Sequence, residues 1–288
     1  MAEQMHFKLL SGDVIPMVGF GTWTVTGSSV TPIIDHALAA GYRLFDTATM
    51  YGNEAELGRA FKELLPKHNL ERKDIFIATK LYPDDHGENA AKAINESLKL
   101  LDCEYIDLYL IHWPGVYGVS PKSPENARLR DISWQKMTEA VKKGLVKNIG
   151  VSNYNVKQLK QLLQNDHGIK PVVNQVERHP HCRQKEILEL CNKEEICLQA
   201  YMPLGGTGNK DLLENAKVKK IADKLGKRPA QVLLRWNLQQ NVAVIPKSSS
   251  KEHIFNNFDL NFILPDEDME VLNTFPQTKY DWDPDSIA

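Results

Sequence analysis

The 288-residue sequence predicts an α/β chain folded as a single (β/α)₈ barrel domain over residues 1–288. Three observations predict it. Eight short apolar, β-branched runs recur with about 20 to 40 residues between successive starts. Longer patterns with helical spacing fall between them. Several runs, such as Ile106-Asp-Leu-Tyr-Leu-Ile111 and Ile75-Phe-Ile-Ala78, are apolar on both faces. A strand buried on both faces belongs to a parallel sheet covered by helices, and eight such strands in about 250 residues fit a barrel. The rival is an open doubly wound sheet, which carries G-x-G-x-x-G after its first strand. Here Gly19-Phe-Gly21 is followed by Thr22, Trp23 and Thr24, so the third glycine is missing.

The elements run in order. Residues 7–16 read as a β-hairpin with Ser11-Gly12-Asp13 at its turn, placed to close the barrel bottom. Strands are expected at 17–20, 43–47, 75–80, 106–112, 147–151, 172–176, 197–201 and 242–245. Helices are expected at 31–40, 53–65, 88–101, 131–143, 155–163, 184–194, 215–225 and 229–240. Thr31-Pro32 starts the first of these with proline near the first turn. In the second, Ala55, Leu57, Ala60, Phe61 and Leu64 share one face.

Composition narrows the function. Hydrophobic residues make up 42% and charged residues 25%, ordinary globular usage that excludes disorder as the main content. Lys+Arg 35 against Asp+Glu 37 leaves a formal charge of −2, without the basic excess of a nucleic-acid binder. No apolar run approaches the length of a membrane span. Glu3, His6 and Lys8 stand where a signal peptide needs an apolar core. Cys103, Cys182, Cys191 and Cys197 form no C-x-x-C pair and read as free thiols of a cytoplasmic protein.

Catalytic groups of a barrel sit at the C-terminal ends of strands and in the loops that follow. The polar residues ending these runs are Asp46, Lys80, His112, Ser152-Asn153, Asn174-Gln175, Tyr201 and Lys247-Ser248, with Tyr51 shortly after Asp46. One mouth would collect Asp46, Tyr51, Lys80, His112 and Lys247. Each has a plain alternative: Asp46 as a loop cap, Lys80 reaching to the surface, His112 as a satisfied core histidine. Together they have a chemical logic. A lysine and an aspartate ending adjacent buried strands should pair, because an unpaired buried charge costs several kcal/mol. A phenol beside that ammonium has its phenolate form favoured and its pKa drawn down toward the range of a general acid.

In order along the chain, Gly19-Phe-Gly-Thr-Trp23, Gly41-Tyr-Arg-Leu-Phe-Asp-Thr-Ala48, Tyr51-Gly-Asn-Glu54, Ile77-Ala-Thr-Lys80, Asp107-Leu-Tyr-Leu-Ile-His-Trp-Pro114, Ile149-Gly-Val-Ser-Asn153, Asn174-Gln-Val-Glu177 and Ile245-Pro-Lys-Ser248 resemble the aldo-keto reductases. The short segments after the fourth and seventh strands look like the compact members, the diketogluconate and glyoxal reductase type and the short prostaglandin F synthases. The resemblance implies NADPH-dependent reduction of aldehydes and some ketones by a tetrad of Asp46, Tyr51, Lys80 and His112. Tyr51 would donate the proton, Lys80 paired with Asp46 would lower the Tyr51 pKa, and His112 would orient the carbonyl. It also implies a monomer acting on a small carbonyl substrate; the dispersed histidines argue against a metal site, and charge and apolar runs against nucleic acid or membrane. The other reading, of a different class, is a cofactor-binding regulatory or structural protein of the same fold.

For NADPH/NADP⁺, the resemblance places Ser152, Asn153 and Gln175 on the carboxamide and Tyr201 on the nicotinamide ring. Thr22 and Asp46 would lie near the adjoining ribose. The segment 203–208, with Leu204 and Gly206, would wrap the pyrophosphate. Lys247, Ser248, Ser249, His253 and Asn257 would hold the adenosine end and its 2′-phosphate, Ser249 and Glu252 having the spacing of a capping box. His253 stands where the family often has Arg, and Asn256 where it often has Glu. Arg stays charged and grips phosphate bidentately, which His does not. Trp23, Tyr51, Tyr82, His112, Trp113 and Trp282 are the expected substrate walls. His179-Pro-His181 with Cys182 reads as a loop after the sixth strand.

Overall fold

The computed structural model describes residues 5–206 and 208–288. Residues 1–4, with Glu3 of the N-terminal reading, and Thr207 of the 203–208 segment lie outside the described residues.

A hairpin, β1 (His6–Lys8) and β2 (Val14–Pro16), pairs Phe7 with Ile15. Its turn is closed by Gly12, whose φ of +94° suits glycine. Leu9 and Ile15 are buried, and Asp13 accepts a bond from Asn148 Nδ2 at 2.8 Å, near the start of a barrel strand. The hairpin therefore caps the N-terminal end of the barrel, leaving the other end open.

Eight parallel strands follow: β3 (Gly19–Gly21), β4 (Leu44–Asp46), β5 (Phe76–Leu81), β6 (Ile106–Ile111), β7 (Val146–Ser152), β8 (Val173–Glu177), β9 (Cys197–Tyr201) and β10 (Ala243–Val244). They neighbour one another in sequence order. The ring closes through a parallel bridge between Val18 and Val244 and a bond from Gly21 N to Pro246 O at 3.0 Å. All eight expected strands are present and the doubly wound rival is excluded. The first starts two residues later than expected, at Gly19. There a Cβ would meet Leu44 Cδ2 at 1.7 Å, so the buried side chain of its register partner fills the space beside this glycine.

The helices are α1 (Val30–Ala40), α2 (Glu54–Lys67), α3 (Ala90–Leu100), α4 (Glu125–Lys142), α5 (Val156–Gln164), α6 (Lys185–Lys193), α7 (Ala216–Leu225), α8 (Pro229–Leu238), α9 (Lys251–Phe258) and α10 (Asp266–Asn273). Helix α4 begins six residues before its expected start, because its first turns bury Asn126 and Arg130 rather than apolar groups. Helix α10 was not foreseen. Half of its eight residues are acidic, and only Asp268 and Leu272 are buried. One core cluster fills the barrel and the layer between strands and helices. A second, around Val218, Val232, Trp236 and Leu272, joins α7, α8 and α10.

Strand register sets the site. Asp46 ends β4 opposite Ala78, and Lys80 lies two residues further along β5, on the same face. Both side chains point into the barrel near its open end.

Candidate active site

Lys80 is fully buried, and its Nζ has three acceptors. It donates to Asp46 Oδ1 at 2.6 Å, Thr47 O at 2.8 Å and Tyr51 OH at 3.3 Å. Three acceptors match the three protons of an ammonium. Burial opposes its charge, but Asp46 and Tyr51 outweigh burial and hold its pKa above that of an ordinary lysine. The other Asp46 oxygen accepts Gln175 Nε2 at 2.7 Å, so strands β4, β5 and β8 meet at one carboxylate.

Tyr51 ends a short 3₁₀ turn that Gly52 leaves with a left-handed φ of +64°. Asn53 fixes this loop: its Nδ2 donates to Thr22 O and Val25 O, and its Oδ1 accepts from Thr47 Oγ1 at 2.6 Å. Thr79 Oγ1 donates to Glu54 at 2.6 Å, tying α2 to β5. Neither Asn53 nor Glu54 was singled out from the sequence as a positioning group. The Tyr51 ring lies 4.9 Å from Trp23 and 5.9 Å from the His112 ring, centroid to centroid.

One expectation is corrected. Burial raises the Tyr51 pKa, Lys80 lowers it, Asp46 raises it again, and the balance is upward. The ammonium acts in the expected direction but does not overcome burial. The phenol is therefore held protonated, as a proton donor must be, with a cation in place to stabilise the phenolate left behind. Burial and then the Lys80 charge hold the His112 pKa well below the usual range. This imidazole is neutral near pH 7, and its Nδ1 is buried without a protein partner.

These groups sit in the wall of a cavity of about 820 Å³ at the open end of the barrel. Its lining includes Thr22, Asp46, Ser152, Asn153, Gln175, Tyr201, Leu204, Gly206, Lys247, Ser248, Ser249, His253 and Asn257, every residue expected to hold the cofactor. Ser152 Oγ donates to Gln175 O at 2.9 Å. Asn153, at φ +62°, donates to His112 O at 3.0 Å, and its Oδ1 lies 2.8 Å from the Tyr201 hydroxyl. At the Lys247 end, Ser250 and not Ser249 caps α9, accepting from His253 N. The capping-box reading was therefore one residue early.

The expected substrate walls fall into two groups. Trp23, Tyr51 and His112 line the cavity, whereas Tyr82, Trp113 and Trp282 are absent from its lining. Tyr82 packs against Tyr117 and Trp113 against Trp282, the two tryptophans directly following His112 and Asp281 of the lining. Met50 and Arg228 line the cavity without having been foreseen, alongside Asn256, noted beside Asn257, and Asp281 of the C-terminal segment. Glu177 explains Asp281. This buried carboxylate accepts from Tyr280 N at 2.7 Å, Asp281 N at 2.9 Å and Lys279 Nζ at 3.2 Å, pinning the C-terminal segment over the mouth. His179 Nε2 also bonds Glu177, at 2.9 Å. Among the described residues no three His, Cys, Asp or Glu side chains form a metal-binding group, and no helix is long and apolar enough to cross a membrane.

A family model described as "Aldo/keto reductase family" matches residues 17–275. The chain is 38% identical to aldo-keto reductase family 1 member A1 of Gallus gallus, over 91% of this chain and 85% of that protein. It is 37% identical to methylglyoxal reductase DkgA of Escherichia coli O157:H7, over 97% of this chain and 96% of that protein. Among solved structures, an aldo-keto reductase (AKR2E5) complexed with NADPH superposes with a TM-score of 0.87 at 31% identity, covering 96% of this chain and 89% of that one.

Proposed function

The chain belongs to the aldo/keto reductase family, and we propose that it reduces aldehydes and some ketones to alcohols with NADPH, Tyr51 supplying the proton. The observation that carries this is the buried Lys80 ammonium bonded at once to Asp46 and to the Tyr51 hydroxyl. The cavity fits an extended dinucleotide. Amide and hydroxyl side chains gather near Tyr51, a lysine and serines gather at the far end, and there Asn256 keeps a buried Nδ2 donor with no protein partner. A heterocyclic nitrogen acceptor would satisfy that donor.

When bound, the reduced nicotinamide supplies a hydride to the carbonyl carbon. Ser152, Asn153 and Gln175 would hold its carboxamide, and the Tyr201 ring would pack on its face. Trp23 walls the substrate side. His112, neutral, hydrogen-bonds the carbonyl oxygen and sets its position between Tyr51 and the hydride donor. Tyr51 then gives its proton to that oxygen, completing the alcohol. The electron pair left on the phenolate is stabilised by Lys80, which Asp46 keeps charged and in place. Solvent returns the proton to Tyr51 after release.

We further propose a monomer acting on small carbonyl compounds in the cytoplasm. The four unpaired cysteines suit a reducing compartment. The test is NADPH oxidation, followed by its near-ultraviolet absorbance, across a panel of reactive aldehydes. Turnover supports a reductase. NADPH binding with no turnover on any aldehyde or ketone would instead support the non-catalytic, cofactor-binding reading.

A further inference from the structure

The far end of the cavity carries more positive charge than Lys247 alone supplies. Arg228 lines it, together with Pro229 and Ala230, which begin α8. Opposite stand Lys247, Ser248, Ser249 and His253 at the start of α9. Two helix N-termini and a guanidinium thus face one space.

Among the described residues, the acidic partner of Arg228 is Glu252, in the first turn of α9. The two side chains are 51% and 63% exposed, so the pair is solvated and weak. Its guanidinium is therefore held loosely and can change partner. A phosphate offers two or three oxygens in the geometry a guanidinium fork fits, with more charge than one carboxylate.

We propose that Arg228 binds the 2′-phosphate of NADP, leaving Glu252 to do so, and thereby sets the preference for NADPH over NADH. Arg228 thus supplies the bidentate grip that His253 cannot. Glu252 competes with the phosphate for it. NADH, lacking the phosphate, leaves the Arg228–Glu252 pair intact. The proposal rests on the reading that this end of the cavity holds the adenosine 2′-phosphate.

The experiment measures affinities directly, by quenching of tryptophan fluorescence with NADPH and NADH. Calorimetry with adenosine 2′-monophosphate and adenosine 5′-monophosphate gives a second readout independent of turnover. Arg228→Gln should weaken NADPH and adenosine 2′-monophosphate about 10-fold or more while NADH moves by less than about twofold. Glu252→Gln, which leaves Arg228 in place, should tighten NADPH and leave NADH unmoved. Arg228→Lys should fall between wild type and Arg228→Gln. If wild type favours NADPH and both Arg228→Gln and Glu252→Gln keep its preference, Arg228 does not bind the phosphate and the proposal alone is overturned. If wild type itself binds adenosine 2′-monophosphate no better than the 5′-isomer, the phosphate end has been misplaced and the proposal falls with it.

Discussion

Lys80 Nζ lies 2.6 Å from Asp46 Oδ1, and the two side chains are 0% and 2% exposed. A pair so buried is tied to stability through its breakage more than through its formation. Asp46→Asn leaves an uncompensated ammonium inside the barrel. It should cost about 3–5 kcal/mol in urea unfolding and reduce turnover sharply. Asp46→Asn combined with Lys80→Met removes both charges and should recover part of the lost stability. A double variant less stable than Asp46→Asn alone would contradict a charge-driven cost.

The raised Tyr51 pKa fixes the pH behaviour of reduction. Burial favours the neutral phenol, so the proton donor is intact through neutral and mildly alkaline pH. The kcat of reduction should fall only as pH rises through the folded-state value. Lys80 is the group pulling that value down, so Lys80→Met should move the alkaline inflection upward while lowering kcat. An inflection moving downward would show that the ammonium does not act on Tyr51.

His86 gives a stability test remote from the chemistry. Its ring bridges Ser133 Oγ and Trp113 O, both at 3.1 Å, and burial holds its pKa down at about 4. Below an unfolded value of 6.5 the unfolded chain takes a proton that the folded chain refuses. Stability is therefore complete above that value and is lost as pH falls toward 4, by about 3 kcal/mol from this group. His86→Gln, which does not titrate, should show a shallower fall in unfolding free energy over this window. Parallel pH curves for the two proteins would assign the loss to other groups.

The barrel was legible because its strands are apolar on both faces, a pattern that solvent-facing elements lack. The helices with one apolar stripe were legible too. Those that bury polar groups were not: the first turns of α4 hide Asn126 and Arg130, and α10 reads as a charged loop. The tetrad was legible because Asp46, Lys80 and His112 lie at strand ends with Tyr51 in the loop after the second, and register alone then brings Asp46 beside Lys80. Arg228 and Asp281 reach the cavity from a helix cap and from the C-terminal segment, whose positions depend on packing that no local pattern records.

The cavity lining predicts which rings matter most to substrate. Trp23 lines the cavity against Tyr51, so Trp23→Ala should raise KM for aromatic aldehydes roughly 3- to 10-fold, measured at saturating NADPH. Tyr82→Ala should leave KM near the wild-type value. The reverse ranking would place the substrate on the Tyr82 side of the mouth.

The most direct measurement is single-turnover oxidation of bound NADPH by a reactive aldehyde in Tyr51→Phe, beside NADPH affinity from fluorescence. Removing one hydroxyl should slow the chemical step by about 10²–10⁴-fold and leave affinity within about threefold of wild type. Chemistry at the wild-type rate in that variant would show that the proton comes from elsewhere and that the buried Lys80–Asp46 pair serves the fold alone.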